Sequence, residues 1–206
     1  MAHIDSRIYL ASRSPRRREL LRQIGVRHEV LLLRESGGRL DVNEAPQPGE
    51  SPQDYAQRIA CAKADVGWQR VIERHIPHYP VLGADTTVIL DDEILGKPLG
   101  LNAAIDMLGK LAGRSHQVVT AVSVTYEDRC EALLSTSTVK FKPLSEREIL
   151  AYTSSGEPFD KAGGYAIQGR AATFIEHLEG SYSGVMGLPL FETAQLLERF
   201  NMKFFE

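Results

Sequence analysis

Val81-Leu82-Gly83-Ala84-Asp85-Thr86-Thr87-Val88-Ile89-Leu90 is a nearly unbroken apolar run, the pattern of a strand buried on both faces. A carboxylate in the middle of such a strand is expensive to bury alone. Asp85 is therefore either satisfied by a cation or used in chemistry. Asp91-Asp92 reads as a turn, Glu93–Leu95 as the returning strand and Gly96-Lys97-Pro98 as its end. A hairpin of this kind could bring Lys97 back towards Asp85.

Upstream of this strand, Ile8–Ala11 is a short strand that runs into Ser12-Arg13-Ser14-Pro15-Arg16-Arg17-Arg18. Ser14 reads as an N-cap, Pro15 as the first helical residue and Gly25 as the C-terminal stop of a helix over Pro15–Ile24 with Leu20, Leu21 and Ile24 on its apolar face. The arginines crowd the positive end of the helix dipole, at a cost of about 0.3–1 kcal/mol per exposed charge. Two readings stand: a solvated basic patch, or a site for a polyanion at the strand-to-helix turn. Val30–Leu33 reads as a second strand. The Gly/Pro/acidic stretch Arg34–Gly49 reads as a long surface loop. Ser51-Pro52-Gln53-Asp54 opens a helix to about Trp68 with Tyr55, Ile59, Ala62 and Val66 inward. Lys63 falls on or beside that face. It is either a snorkelling stem over the core edge or a functional cation.

Downstream, Asn102 reads as the cap of a helix over Ala103–Leu111 that Gly113 closes. His116–Tyr126 and Ala132–Phe141 form an antiparallel hairpin. Ser145-Glu146-Arg147-Glu148 is a capping box opening a helix to about Thr153. Asp160–Gly169 and Gly180–Gly187 are glycine-rich loops around a short strand at Phe174-Ile175. A last amphipathic helix after Leu188-Pro189 turns Leu190, Ala194, Leu197 and Phe200 inward.

The 206 residues suffice for one sizeable α/β domain, or one domain with two lobes. Hydrophobic content of 43% and charged content of 25% are ordinary for a soluble globular chain. No apolar run approaches a membrane span. A net charge of −3 argues against coating duplex DNA by bulk charge, but not against a small phosphorylated ligand. Cys61 and Cys130 lack metal-like spacing and suit a reducing cytosol. No secretory leader is evident, and Met1–Ser6 is a short polar start. His75 and His78 lie near each other without acidic or cysteine companions and read as surface residues.

The residues that ask for an explanation are the cations Arg16, Arg17, Lys63, Lys97 and Lys161, the acids Glu44, Asp85 and Asp160, and the amide Gln168. Cations, carboxylates and glycine-rich loops together suggest phosphoryl chemistry with a divalent metal. A Walker A sequence is absent, as are a G-x-G-x-x-G after the first strand and a G-x-S-x-G elbow. P-loop kinases, dinucleotide-binding Rossmann domains and serine nucleophiles are correspondingly disfavoured.

Four segments resemble the Maf family of nucleoside triphosphate pyrophosphatases: Leu10-Ala11-Ser12-x-Ser14-Pro15-Arg16-Arg17; Lys63-Ala64; Gly83-Ala84-Asp85-Thr86 with Lys97-Pro98; and Asp160-Lys161-Ala162-Gly163-x-Tyr165-x-Ile167-Gln168-Gly169 with Gly180-Ser181 and Gly187-Leu188-Pro189-Leu190. Each string alone is weak; their order across nearly the whole chain is specific. The resemblance implies a single domain over residues 1–206 with an inosine-triphosphatase-like α/β fold, a curved mixed sheet flanked by helices, and two lobes around a deep cleft. It also implies hydrolysis of a nucleoside triphosphate to the monophosphate and pyrophosphate, a divalent cation (Mg²⁺ or Mn²⁺), nucleotide-pool house-cleaning in the cytoplasm, and the homodimers common in the family. Neither nucleic acid nor a membrane is expected as a partner.

Carried over residue by residue, the resemblance makes Asp85 the proton acceptor, with Glu44 as a second metal ligand and Asp41 as the alternative acid, because the Arg34–Leu40 segment lengthens the connection. Ser12, Arg16, Lys63, Lys97 and Lys161 would contact phosphate. Arg17, Thr86 and Gln168 match the dTTP/UTP-preferring branch and not the one preferring 7-methyl-GTP. An amide offers a donor and an acceptor together, which could answer a pyrimidine O4 and N3–H pair. A free aspartate, with a pKa of about 3.9, is a poor base for water at neutral pH. Either burial raises it, or a metal acidifies the water and Asp85 positions it or ligates the ion. The competing readings are a general inosine/xanthosine or 7-methyl-GTP pyrophosphatase and a nucleotide-sensing regulator of cell division.

Overall fold

The computed structural model describes residues 7–34 and 40–202. Among the described residues seven strands form one mixed sheet, and six α-helices accompany them. The strands are β1 (Arg7–Leu10), β2 (Arg27–Val30), β3 (Val81–Leu90), β4 (Glu93–Leu95), β5 (Ser115–Tyr126), β6 (Arg129–Phe141) and β7 (Ile175–Glu179). The helices are α1 (Pro15–Gln23), α2 (Pro52–Glu73), α3 (Leu101–Leu111), α4 (Glu146–Thr153), α5 (Tyr182–Met186) and α6 (Leu190–Arg199). The strand order is β2-β1-β3-β5-β6-β7, with β4 on β3. β1 runs parallel to β2 and β3, whereas β3/β4 and β6/β7 are antiparallel.

The chain divides into two compact units. The first comprises Met1–Asp85, Thr120–Leu134 and Gly187–Glu206; the second comprises Thr86–Val119 and Ser135–Met186. The first unit has a core of Tyr9, Ala11, Leu31, Leu33, Trp68, Val71 and Val81. In the second, Val88, Leu95, Leu108, Leu111, Phe141, Tyr165 and Phe174 pack together. Phe141 meets Tyr165 edge-on at 4.9 Å and His116 at 5.1 Å between ring centroids, contacts worth about 0.5–1.5 kcal/mol each beyond their burial.

Local chemistry sets the ends of α1, α4 and the β3–β4 turn where the sequence places them. Ser14 Oγ accepts from Arg17 N, and Pro15 opens α1. After the last turn, Gly25 takes φ +73°. Gly25 N donates to Arg22 O, and Val26 N to Leu21 O. These paired bonds are a Schellman closure, and the left-handed residue in it favours glycine. Ser145 and Glu148 complete the capping box of α4. Asp91 and Asp92 both adopt positive φ, 51° and 63°, in the β3–β4 turn, the hand that matches strand twist.

The expected strand over Val30–Leu33 lies earlier, at Arg27–Val30. β2 ends the sheet order and most of its side chains face solvent, so apolar content does not mark it; Leu31 and Leu33 are buried just past its end. α2 continues beyond Trp68 to Glu73. Its buried face is Ala56, Ile59, Ala60, Ala64, Gly67, Trp68 and Val71; of the expected Tyr55, Ile59, Ala62 and Val66 only Ile59 is buried, and the other three are half-buried. Small residues occupy this face because the helix backbone lies against β3. A Cβ on Gly83 would stand 2.3 Å from Ala60 O and 2.7 Å from Ala64 N, and one on Gly67 would stand 2.6 Å from Val81 Cγ1. Gly100, not Asn102, precedes α3, without a side-chain cap. The last strand begins at Ile175, because Arg170–Phe174 forms a 3-10 turn. Of the Arg34–Leu40 extension, residues 35–39 lie outside the described residues.

Candidate active site

Asp85 sits two positions after Gly83 and so shares its strand face. Because Gly83 admits the α2 backbone, the helix residue beside Ala64 comes down on the carboxylate. Lys63 Nζ donates to Asp85 Oδ1 at 2.8 Å, and both side chains are 13% exposed. The same ammonium lies 2.8 Å from Glu44 Oε1. A cation thus satisfies the carboxylate in the apolar strand, and Lys63 is more than a stem over the core edge.

Glu44 belongs to a loop without regular structure, yet α2 fastens it. Tyr55 OH donates to Glu44 O at 2.9 Å. Arg58 donates to Asn43 O, to Ala45 O and, through two nitrogens, to the Glu50 carboxylate. That fork holds Glu50 down to about 2. Burial, then the charges of Asp85 and Glu44, push the Tyr55 phenol up to about 12, so it stays a donor. Asp41, the alternative acid, is committed elsewhere. It accepts from Arg34 N at 2.9 Å and from Arg70 Nη2 at 2.7 Å. Tyr55 and Arg58 were not among the sequence candidates. Both act through loop carbonyls, which no residue-type pattern reveals.

A second cluster forms at the β1–α1 turn. Ser12 Oγ, only 9% exposed as a residue, accepts from Ser14 N at 3.2 Å and Arg17 Nη1 at 3.1 Å, while Arg17 Nε donates to Gly187 O at 2.8 Å. With its lone pairs engaged, the Ser12 hydroxyl can still donate its own hydrogen. Arg16 is half-buried on the first turn of α1. The arginine run is not one patch. Arg18 joins Arg22, Arg27 and His28 in lining a groove of about 490 Å³.

In the second unit, Lys161 is tied down: its Nζ donates to Glu157 O at 2.6 Å and pairs with Asp160. The Glu157 carboxylate accepts from Tyr152 OH and from Arg170 N, both at 3.0 Å. A Cβ on Gly169 would meet that carboxylate at 2.2 Å. Glu157 therefore braces the segment bearing Lys161 and Gln168, another residue without a sequence signal. Gln168 is exposed, Thr86 half-buried in β3, and Lys97 exposed, following the paired end of β4 at Leu95.

Among the described residues no group of three or more His, Cys, Asp and Glu side chains is placed to hold a metal ion. Asp85 and Glu44 nevertheless offer two oxygen-donor side chains on one ammonium. Mg²⁺ is commonly held by one or two carboxylates, with water and phosphate oxygens filling the rest. The pair fits an ion that arrives with a triphosphate.

An α/β chain with a half-buried acid–lysine pair between its long strand and α2 is the class these features define. The Maf-like protein family model matches residues 7–200, and the chain belongs to that family. It is 57% identical over 199 residues to a dTTP/UTP pyrophosphatase of Nitrosomonas europaea, covering 96% of each chain. Identity is 55% over 202 residues to one of Aromatoleum aromaticum (97% of this chain, 98% of the relative). It is 53% over 207 residues, all of both chains, to one of Nitrosospira multiformis. The solved Staphylococcus aureus Ham1 protein aligns with 95% of this chain and 97% of its own at 14% identity, TM-score 0.48. Among the described residues no helix is long and apolar enough to cross a membrane.

Proposed function

We propose that this chain hydrolyses dTTP and UTP to the nucleoside monophosphate and pyrophosphate. The observation that carries the reading is the Asp85–Lys63–Glu44 cluster on β3, α2 and the fastened loop, in a family whose relatives above are named for this reaction. Water attacks the α-phosphorus, the bridging oxygen leaves with pyrophosphate, and the water proton passes to Asp85 or to solvent beside it. Asp85 orients the attacking water, and Lys63 fixes the carboxylate's direction. Asp85 and Glu44 would hold a divalent ion, Mg²⁺ or Mn²⁺, which neutralises phosphate charge and acidifies water when bound. Ser12 and Arg16 bind phosphate oxygens. Arg17 is oriented by Ser12 and Gly187 for phosphate contact and base discrimination. Lys97 and Lys161 supply further positive charge for phosphate, while Thr86 and Gln168 discriminate the base. The enzyme cleans free nucleotide pools in the cytosol.

The test is pyrophosphate release from dTTP, UTP, ITP and 7-methyl-GTP, with Mg²⁺ and Mn²⁺ assayed separately. dTTP and UTP should be turned over fastest, and Asp85→Asn should abolish turnover while nucleotide binding survives. Full activity in Asp85→Asn removes Asp85 from the mechanism. Binding without hydrolysis by the wild type favours a nucleotide-sensing role.

A further inference from the structure

The chain holds two cysteines, far apart in sequence, and the fold brings them together. Cys61 is half-buried on α2, and Cys130 is exposed on β6; both are free thiols. Cys61 and Asp65, one turn apart, share a face of α2, and Ser123 and Thr125, two residues apart, share a face of β5. Ser123 Oγ lies 3.4 Å from Cys130 Sγ, so Cys61 and Cys130 face one another at this end of α2 and β5. Beside them Thr125 Oγ1 donates to Asp65 Oδ1 at 2.7 Å, so the nearest carboxylate is already engaged. The neighbouring Cys61 thiol draws the Cys130 thiol down, while Cys130 and burial push the Cys61 thiol up. The arrangement is an accessible thiol backed by a half-buried second one, the pairing of an attacking and a resolving cysteine.

We propose that Cys130 and Cys61 form a peroxide-reactive dithiol that closes to an intramolecular disulfide. The Cys130 thiolate attacks one oxygen of a hydroperoxide. The O–O bond breaks, and the leaving oxygen takes a proton as water or alcohol. Sulfur is left as a sulfenic acid, oxidised by two electrons. Cys61 then attacks that sulfur, the S–S bond forms, and the sulfenic hydroxyl leaves as water with the Cys61 proton. Two thiols and one hydroperoxide thus give one disulfide, one alcohol (or water) and one water. The bond would tie α2, on which Lys63 stands, to β6.

The experiment uses the full chain, reduced, desalted and exposed to stoichiometric hydrogen peroxide. Thiols are counted in denaturant, and intact mass is measured before and after dithiothreitol. Both thiols should disappear together with loss of two hydrogens from the monomer, and dithiothreitol should restore both. Cys61→Ser should stop at a Cys130 sulfenic acid trapped by dimedone, whereas Cys130→Ser should leave Cys61 unmodified. The pH midpoint for alkylation of Cys130 should lie well below the free-thiol value of about 8.5, and should rise in Cys61→Ser. Oxygen addition without hydrogen loss in the wild type overturns the proposal. So does a disulfide only between chains, or a Cys130 that alkylates with the pH dependence of a free thiol.

Discussion

Gly83→Ala is the sharpest perturbation of the Asp85–Lys63 contact, because it touches neither residue. The new Cβ would lie 2.3 Å from Ala60 O and 2.7 Å from Ala64 N, both backbone atoms of α2, where ordinary contact begins near 3.4 Å. No side-chain rotation relieves that overlap. The helix must retreat by about 1 Å, the difference between the two distances, and overpacking of this kind typically costs about 1–3 kcal/mol. In a chain of this size each kcal/mol lowers Tm by about 2–4 °C. Lys63 retreats with the helix, and its 2.8 Å bond to Asp85 lengthens past hydrogen-bonding range. A misplacement of about 1 Å at a reacting group can cost on the order of 10²-fold in rate. We therefore expect kcat for dTTP to fall by about that factor while nucleotide binding is largely retained. Gly109→Ala is the matched control: nothing lies within 4 Å of that Cβ in α3. Relief of the helical glycine cost should stabilise it by about 0.5–1 kcal/mol with unchanged kcat. Thermal melts and pyrophosphate release read both variants. A Gly83→Ala protein with wild-type Tm and kcat would refute the claim that close backbone approach aims Lys63 at Asp85.

Two further outcomes follow from single residues. Burial holds His116 down to about 4 beside Tyr165. Between about pH 6.5 and 4 the unfolded chain therefore binds a proton that the folded chain refuses, and stability should fall by roughly 3 kcal/mol as pH drops through that window. Urea melts across this range should show the slope, and His116→Phe should flatten it even if its stability is lower throughout. An unchanged slope would assign the acid sensitivity to other groups. Gln168→Glu exchanges an amide that can both donate and accept for an acceptor-only carboxylate. The dTTP over 7-methyl-GTP ratio of kcat/KM should shrink by about tenfold, the worth of one hydrogen bond. A ratio equal to the wild type would remove Gln168 from base discrimination.

What the sequence discloses tracks how local the cause is. The α1 and α4 starts, the Gly25 closure and the Asp91-Asp92 turn rest on bonds within a few residues, and all are readable from Ser14, Ser145, Gly25 and the aspartates themselves. β2 is misplaced because solvent-facing Arg27, His28 and Glu29 carry no apolar signal while buried Leu31 and Leu33 do. The α2 face is misassigned because helix-on-strand contact selects alanine and glycine, which periodicity of large side chains does not detect. At the candidate site, Asp85 and Lys63 stand out as charges in apolar settings. The resemblance already puts Glu44 ahead of Asp41; the bonds from Arg70 and the Arg34 amide that engage Asp41 come from outside its own segment and leave no mark in the sequence. Tyr55, Arg58 and Glu157 work through backbone carbonyls and amides, so the chain gives no clue to them. The Cys61–Cys130 encounter is a long-range product of topology.

The two ends of the strand order have a consequence for self-association. β2 presents Arg27 and Glu29, the latter paired with Arg7, and β7 presents Glu176 and Glu179, the former paired with Lys140. A neighbouring copy adding its own strand at either rim would have to strip water from these charges, and such rims resist edge-to-edge growth and amyloid-type stacking. A second copy therefore docks at least cost on helical or loop surfaces, leaving the outward backbone groups of both rim strands to water.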